Sequence, residues 1–396
     1  MTCEEIEGRL RSVMAAVGCP ATGGGIADLL DRLGSFARHH QMIHRVTRAV
    51  WRAFSEDPAD PLPTLPRKEA LSHPRDGGII AFCPGATLDL KIGDATFPEG
   101  ERIRIQAAGR GISLARAMKA LAGEAQEAPP MLCGWIGGEA GSALAALLHE
   151  EGIRACLHAI PGETRICLYG PRGRVLYDPG PPVTEAEVAA QFEASIADLS
   201  PYRCVVLAGS IPPRLAPDFY RRLLDRLPPH PDRTIVVDTY PDLLRPLLEG
   251  AAALPTLMTP NIEEFAGMTG IASSFFRGRL DRIVHHALPL LERGVETLIV
   301  TLDREGALLL SRKGGHLEIY TARPPQIVQV DTQGAGDTFL GAYLHAAALL
   351  DWPAAEALRF AAAAGTISAG KPGTGGIESY EEVIRFMPLV EICRLA

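Results

Sequence analysis

The sequence lacks the patterns that mark secreted, membrane-spanning and common metal-binding proteins. Its eight cysteines are scattered over 396 residues and none forms a C-x-x-C pair, which predicts neither a zinc site nor a redox motif. No run of about twenty apolar residues is present to span a membrane. The first residues, MTCEEIEGRL, carry no hydrophobic signal-peptide core. We therefore expect a cytoplasmic protein with reduced thiols and no membrane association.

The sequence also lacks a strong excess of positive charge. It has 39 lysines and arginines against 47 aspartates and glutamates, a net charge of −8. This balance gives no support to nucleic-acid binding, although a local basic site for a small anion remains compatible with it. With 22% charged residues and a mean hydropathy of +0.08, the composition is that of a globular protein long enough to bury a large core.

Three regions differ in their residue patterns. Residues 1–55 carry apolar residues at helical spacing, which predicts an appended helical module. Its first helix follows a capping box of Thr2 and Glu5, and one further helix is expected from about Ile26 to Trp51. Residues 56–77 contain five prolines and predict a linker. Residues 78–396 alternate β-like runs with amphipathic helices, which predicts an α/β domain with a mostly parallel sheet flanked by helices.

Two segments of that domain break the alternation. Residues 88–107 and 163–178 look like β-ribbons. Their residue types suit a small β flap that covers a cleft. Because exposed sheet edges tend to be covered in native proteins, the flap also makes a homodimer plausible.

The most informative stretch is VDTQGAGDTFLGAY, residues 330–343. Apolar residues at 326–330 predict a strand before it, and the small apolar residues after it predict a helix. A turn of Gly334, Ala335 and Gly336 directs N–H groups to one spot at the positive end of the helix dipole, which favours an anion. The carboxylate of Asp337 repels phosphate, so it makes sense as a base for an attacking hydroxyl. On these residues alone, a glycine-rich turn with a capping aspartate is an equal interpretation.

The longer pattern resembles the C-terminal signature of the ribokinase or PfkB family of carbohydrate kinases, D-T-x-G-A-G-D followed by a small-residue helix. The resemblance covers about residues 78–390. It implies a ribokinase-like fold with ATP and Mg²⁺ as cofactors. It further implies that Asp337 is the catalytic base and that Gly334, Ala335 and Gly336 form the anion hole.

Further matches lie on the substrate side. PGATLDL places Asp89 in register with a family aspartate that binds sugar hydroxyls. GERIR, ending at Arg104, precedes AAGRGIS, which resembles the first glycine signature of the family and contains Gly109, Arg110, Gly111 and, in place of an asparagine, Ser113.

Two motifs resemble the phosphofructokinase branch in particular. GETRICLYG resembles its flap strand, in which Arg165 would bind the phosphate already carried by the substrate. LAGSIPPRLAPDFY resembles the motif that lines the substrate cleft, with Gly209 and Ser210. The resemblance therefore implies that Arg104, Arg110 and Arg165 converge on one substrate phosphate.

On the nucleotide side, TPNIEEF resembles K-P-N-x-x-E, whose asparagine and glutamate, here Asn261 and Glu264, organise magnesium through water. Thr259 stands where the family has a lysine. The stretches TLDREGALLL and AAAAGTISAGKPGTGGI resemble the segments that border the nucleotide and its adenine, which assigns nucleotide contacts to Thr301, Asp303, Gly306, Gly365 and Gly373.

The resemblance favours an ATP-dependent phosphosugar kinase that acts on fructose 1-phosphate, fructose 6-phosphate or tagatose 6-phosphate. Ser113 leaves open a kinase of an unphosphorylated sugar or a nucleoside. Thr259 and Ser113 also leave open a sensor that binds a nucleotide or a sugar phosphate without turning it over.

Overall fold

The computed structural model describes residues 2–21, 23–55, 78–93, 103–122, 130–228, 230, 232–249, 254–312, 315–372 and 376–395. The linker predicted at 56–77 lies outside this part of the chain. The helices of the described residues are α1 Cys3–Val17, α2 Ile26–His39, α3 Ile43–Ser55, α4 Arg110–Ala122, α5 Gly138–Glu150, α6 Ala189–Leu199, α7 Phe219–Arg226, α8 Pro241–Glu249, α9 Ile262–Thr269, α10 Ser273–Phe276, α11 Leu280–Glu292, α12 Ala335–Leu344, α13 Ala354–Ala369 and α14 Tyr380–Phe386. No helix among them is long and apolar enough to cross a membrane.

The strands form a large sheet and a small one. They are β1 Ile79–Cys83, β2 Thr87–Ile92, β3 Ile103–Ala108, β4 Met131–Ile136, β5 Ala155–Ala159, β6 Arg165–Gly170, β7 Gly173–Tyr177, β8 Cys204–Ala208, β9 Thr234–Asp238, β10 Leu257–Met258, β11 Thr297–Thr301, β12 Ala307–Ser311, β13 Glu318–Arg323 and β14 Glu391–Arg394. The ten-stranded sheet has the order β14-β13-β12-β11-β10-β9-β8-β1-β4-β5.

The large sheet is parallel from β5 to β11 and antiparallel from β11 to β14. Its central strands β1 and β8 are buried along their whole length, which explains their unbroken apolar runs. Separate apolar cores fill the two faces of the sheet. The predicted class, a mostly parallel sheet flanked by helices, is confirmed.

The small sheet is the predicted flap, with the strand order β3-β2-β6-β7. Alternate residues of β2 face opposite sides, so that Thr87 and Asp89 line a cavity while Leu88 and Leu90 join the apolar core. The apolar side packs on α5 at strands β2 and β3, and on α2 and α3 at strands β6 and β7. The N-terminal helices thus cover the outer face of the flap.

The predicted capping box of α1 is present, with Thr2 and Glu5 each accepting the other's backbone N–H. The single helix predicted from Ile26 to Trp51 was wrong, because α2 ends before Gln41 and α3 begins after it. Gln41 adopts a left-handed φ of 54°, which breaks the helix. The break places His44 where its Nδ1 lies 2.8 Å from the carboxylate of Asp178, next to the flap.

The strand predicted at 326–330 was also wrong. The segment is irregular, and Val328 and Val330 are 86% and 56% exposed. Pro324 and Pro325 precede it and lack the N–H groups that a sheet ladder needs. The chain enters the GAGD turn from β13 through this irregular segment, which instead lines a cavity.

Candidate active site

The candidate site, which contains most of the predicted residues, lies at the carboxyl ends of the parallel strands, beneath the flap. Gly209 follows β8, Asp238 ends β9, Thr259 follows β10 and Thr301 ends β11. Two cavities of about 360 and 450 Å³ adjoin here. Both are lined by Asn261, Thr301, Thr332 and Gly336. The first lies between the flap and the large sheet, and the second lies beside α12 and α13.

Most predicted substrate-side residues line the first cavity. They come from the flap, from the start of α4 and from the turn after β8: Asp89, Gly109, Arg110, Ser113, Arg165, Gly209 and Ser210. Gly334, Gly336 and Asp337 close its floor. These residues come from five separate parts of the chain, so no single sequence motif predicts that they line one cavity.

Gly334 caps the N-terminus of α12 with a left-handed φ of 75°, a conformation that glycine adopts at little cost. The first N–H groups of a helix have no acceptors within it. The N–H of Ala335 donates to the carbonyl oxygen of Thr332 at 3.3 Å, so the donors at the positive end of the α12 dipole are those of Gly336 and Asp337. A Cβ placed on Gly336 would meet no atom within 4 Å, so open space lies above these donors. The turn therefore has the geometry of an anion site.

Asp337 lies in the first turn of α12 and faces the first cavity. Burial raises the pKa of its carboxyl to about 7, and the nearby charge of Asp238 adds to the rise. The guanidinium of Arg110 and a hydrogen bond with Ser113 oppose it. A buried carboxyl with a pKa near neutrality is suited to general-base work.

We expect kcat/KM to follow the ionisation of Asp337. Only the carboxylate accepts a proton, so kcat/KM should fall about tenfold per unit below about pH 7 and level off above it. The measurement is a profile of kcat/KM from about pH 5.5 to about pH 9. Because the Ser113 hydrogen bond lowers the pKa, Ser113→Ala should move the rising limb to higher pH. A flat profile in the wild-type protein would contradict this assignment.

Arg110 is held by carboxylates of the protein. It donates to Oδ1 of Asp238 at 2.5 Å and to Glu264, and it stacks 4.6 Å from the ring centre of Tyr240. Its charge offsets three buried acidic groups around it, Asp238, Glu264 and Asp337. Arg110 also lines the first cavity, so its contact with a substrate phosphate stays a prediction, although two carboxylates of the protein already hold the guanidinium.

Arg165 and Arg174 differ from Arg110, because neither forms a salt bridge to a carboxylate among the residues described. Both line the first cavity. Arg165 is only 8% exposed, donates to the hydroxyl of Tyr177, and keeps Nε without a hydrogen-bond partner. The charge of Arg165 lowers the pKa of nearby Asp89, yet the guanidinium forms no salt bridge among the described residues. An anionic ligand would supply one and stabilise the buried cation.

Other polar atoms of the first cavity also lack partners. Oδ1 of Asp89, Oγ of Ser210 and Oγ1 of Thr259 are buried and make no hydrogen bond in the described structure. Burial raises the pKa of Asp89 to about 6, which leaves it mostly ionised at neutral pH. Such groups are the ones that the hydroxyls of a bound polyol would satisfy.

The second cavity is lined by the predicted nucleotide residues Thr301, Asp303, Gly306 and Gly365, with Ala335 beside them. Asp303 has a left-handed φ of 55° and Gly306 has a φ of 98°. Gly365 allows close packing of α13 on α12, since a Cβ there would lie 3.2 Å from the carbonyl oxygen of Ala335. Polar side chains such as Arg304 and Gln329 and apolar ones such as Phe339 both line this cavity.

Asn261 and Glu264 form the capping box of α9. The side chain of Asn261 accepts from the N–H of Glu264 at 2.9 Å, and Glu264 accepts from the N–H of Asn261 at 3.0 Å. The second oxygen of Glu264 accepts from Arg110. With both carboxylate oxygens already engaged, Glu264 suits contact with the water shell of a cation better than direct ligation.

Among the described residues, two predicted site residues line neither cavity. Arg104 lies opposite Lys91 in the flap, further from the floor than the lining strand positions. Gly111 serves packing, since a Cβ there would lie 2.7 Å from Cβ of Cys83. Gly373 lies outside the described residues.

Sequence reasoning missed Arg174, Tyr177 and Tyr240, all of which line the first cavity. A bulge between Leu168 and Tyr169 shifts the register of β6 against β7. The shift breaks strict alternation, so the pattern gave no reason to place Arg174 and Tyr177 on the same face.

Known proteins resemble this chain over most of its length. The family model of the pfkB family carbohydrate kinases matches residues 84–379. The 1-phosphofructokinase of Bacillus subtilis (strain 168) is 28% identical over 289 residues, which cover 72% of this chain and 88% of that protein.

Solved structures share the fold. A possible 1-phosphofructokinase from Thermotoga maritima superposes with a TM-score of 0.67 at 20% identity, over 80% of this chain and 99% of that one. Phosphofructokinase-2 from Escherichia coli, in complex with substrates and products, gives a TM-score of 0.65 at 21% identity, over 78% and 98%. With the family model matching well over half of its residues, the chain belongs to the pfkB family of carbohydrate kinases, enzymes that transfer a phosphoryl group to a sugar hydroxyl.

Proposed function

We propose that the protein is an ATP-dependent kinase of a ketohexose phosphate. The observation that carries this proposal is the buried guanidinium of Arg165, which lines the first cavity without a carboxylate partner among the described residues. Arg174 lies in the same cavity. A phosphate carried by the sugar would supply the missing negative charge and accept hydrogen bonds from the guanidinium. An unphosphorylated sugar would offer the guanidinium of Arg165 no salt-bridge partner.

The chemistry follows from the two adjoining cavities. The sugar lies in the first cavity, with hydroxyls on Asp89 and Ser210, and ATP lies in the second. Asp337 takes the proton of the acceptor hydroxyl as its oxygen attacks the γ-phosphorus. The new O–P bond forms while the bond from that phosphorus to the β–γ bridging oxygen breaks and ADP leaves. N–H groups at the start of α12 stabilise the negative charge on the transferred group.

Mg²⁺ would neutralise charge on the phosphates when bound. Asn261 and Glu264 are placed to hold its water shell, since both line the first cavity near the floor. Thr259 stands where the family has a lysine and contributes no charge. The α12 turn and Mg²⁺ would therefore be the main contacts of the ATP phosphates. A catalytically silent sensor would need neither an ionisable Asp337 nor this pair.

An ADP-release assay with ATP and magnesium tests the proposal. The panel is fructose 1-phosphate, fructose 6-phosphate, tagatose 6-phosphate, fructose, ribose and adenosine. We expect turnover to be confined to one or more of the three phosphosugars. Turnover of fructose, ribose or adenosine alone would replace the proposal with the unphosphorylated-substrate alternative. ATP binding without any turnover would instead support the sensor.

The homodimer through the flap and the cytoplasmic location remain predictions. The helices α2 and α3 already occupy the outer face of the flap at β6 and β7. A partner would therefore pair with the free edges of the flap, β3 and β7, rather than with that face.

A further inference from the structure

A separate group of chemically reactive side chains lies at the edge of the large sheet, outside both cavities. Cys133 of β4 is opposite Cys156 of the edge strand β5 in the parallel register. His158 is two residues further along β5 and so points to the same face. The last turn of α6, which packs on this face, carries Asp198.

These side chains converge. Ligand atoms of Cys133, His158 and Asp198 all lie within 4.8 Å of one another. The thiol of Cys156 donates to Oδ2 of Asp198 at 2.9 Å. Cys156 therefore joins the group of three through Asp198, and we name these four side chains the Cys133–Asp198 cluster.

The contacts within the cluster do not satisfy all of its members. Nε2 of His158 lies 2.6 Å from Oδ2 of Asp198, yet it is buried and forms no hydrogen bond in the described structure. The two atoms are close without the alignment that a hydrogen bond requires. Nε2 of His158 is thus left as a buried nitrogen available to a ligand.

An ordinary buried ion pair explains only part of this arrangement. A His–Asp pair would account for the proximity of His158 and Asp198 but not for their poor alignment. It would also not explain why two cysteines outside any disulfide lie in register beside the pair, one of them fully buried. Two cysteines, one histidine and one aspartate are together a complete tetrahedral ligand set for zinc.

We propose that the Cys133–Asp198 cluster binds one Zn²⁺ ion as a structural site. Cys133, His158 and Asp198 would bind the ion directly, and the neighbouring thiol of Cys156 would complete the four positions. A set of four protein ligands is typical of structural rather than catalytic zinc. On binding, each thiol that ligates the ion loses its proton to solvent. The ion would fasten α6 and the edge strand β5 to β4. The site could not be predicted from the sequence, because residues 133, 156, 158 and 198 are separated by 23, 2 and 40 positions and form no short metal-binding motif.

The test uses purified protein treated with a chelator and then titrated with Zn²⁺ against a chromophoric competitor. We expect one bound equivalent and a higher melting temperature. Co²⁺ in place of Zn²⁺ should give the intense visible bands of a tetrahedral thiolate site together with sulfur-to-cobalt charge transfer. Cys156→Ser and Asp198→Asn should each weaken Zn²⁺ binding by about a hundredfold or more, because even outer contacts of zinc sites are worth about 10–100-fold.

Cys204→Ser is the matched control, since Cys204 is a buried free cysteine of β8 outside the cluster. It should bind Zn²⁺ as the wild type does. Wild-type protein that takes up no stoichiometric metal, or that binds Co²⁺ without thiolate bands, would overturn the proposal even if the variants fold poorly. Equal loss of binding in Cys204→Ser and Cys156→Ser would overturn it as well.

Discussion

Replacing Asp337 by asparagine should lower kcat by about 10²–10⁴-fold, the usual contribution of a positioned general base. Asparagine has nearly the same size and keeps the first turn of α12, but it cannot take the proton of the acceptor hydroxyl. The anion site at the start of the helix is built from backbone N–H groups and should persist. We therefore expect ATP affinity to change by less than about threefold, measured by calorimetry beside single-turnover kinetics.

The same substitution should raise the stability of the fold. A loss of activity could then not be attributed to misfolding of the variant. The pKa of Asp337 in the folded state, about 7, is above the usual aspartate value of 3.8. The folded protein therefore holds a proton that the unfolded chain releases between these values, and stability falls as pH rises through this window. Asp337→Asn lacks this loss, so its melting temperature should exceed that of the wild type by more at pH 8 than at pH 5. A variant that melts lower at both pH values, or turns over at a comparable rate, contradicts the assignment.

The GAGD stretch could be interpreted from sequence because its chemistry is local. Residues 334–337 are consecutive on one turn, so the sequence itself places the donors beside the carboxylate of Asp337. The flap strands could be located for the same reason, since alternation along β2 and β6 is a local property.

The state of the arginines could not be predicted, because it depends on partners far away in the chain. Arg110 is neutralised by Asp238 and Glu264, which are 128 and 154 residues away. Arg174 enters the cavity only because a bulge alters the strand register. The prediction of a strand at 326–330 was wrong for a different reason. Its apolar residues favour a strand, but the two prolines before them lack the N–H groups that a sheet requires.

The helical module illustrates the same limit. Its helices were visible in the apolar spacing, but their place on the outer face of the flap was not. Arg38 donates to the carbonyl oxygen of Val175 at 2.6 Å, across 137 residues. Contacts of this kind hold the outer face of the flap, and they cannot be predicted from sequence because the two residues are far apart in the chain.

Replacing Arg165 by glutamine should raise KM for the phosphosugar by about thirtyfold or more, because removing one member of a buried charge pair costs about 2–5 kcal/mol and 1.4 kcal/mol is tenfold. The guanidinium lines the sugar cavity and not the second cavity, so KM for ATP should change by less than about threefold. Steady-state kinetics with each substrate varied in turn measure both effects.

Arg104→Gln is the matched control, since it removes the same charge from the same flap at a position that lines neither cavity. It should leave both KM values nearly unchanged. Arg165→Gln should also melt no lower than the wild type in the absence of ligands, because the wild-type cation is buried without a carboxylate partner among the described residues. If instead it melts lower and both KM values rise together, Arg165 supports the flap rather than the substrate. Equal effects of the two substitutions on the phosphosugar would show that the flap attracts phosphate only through its overall charge, and the proposed phosphosugar contact would then be wrong.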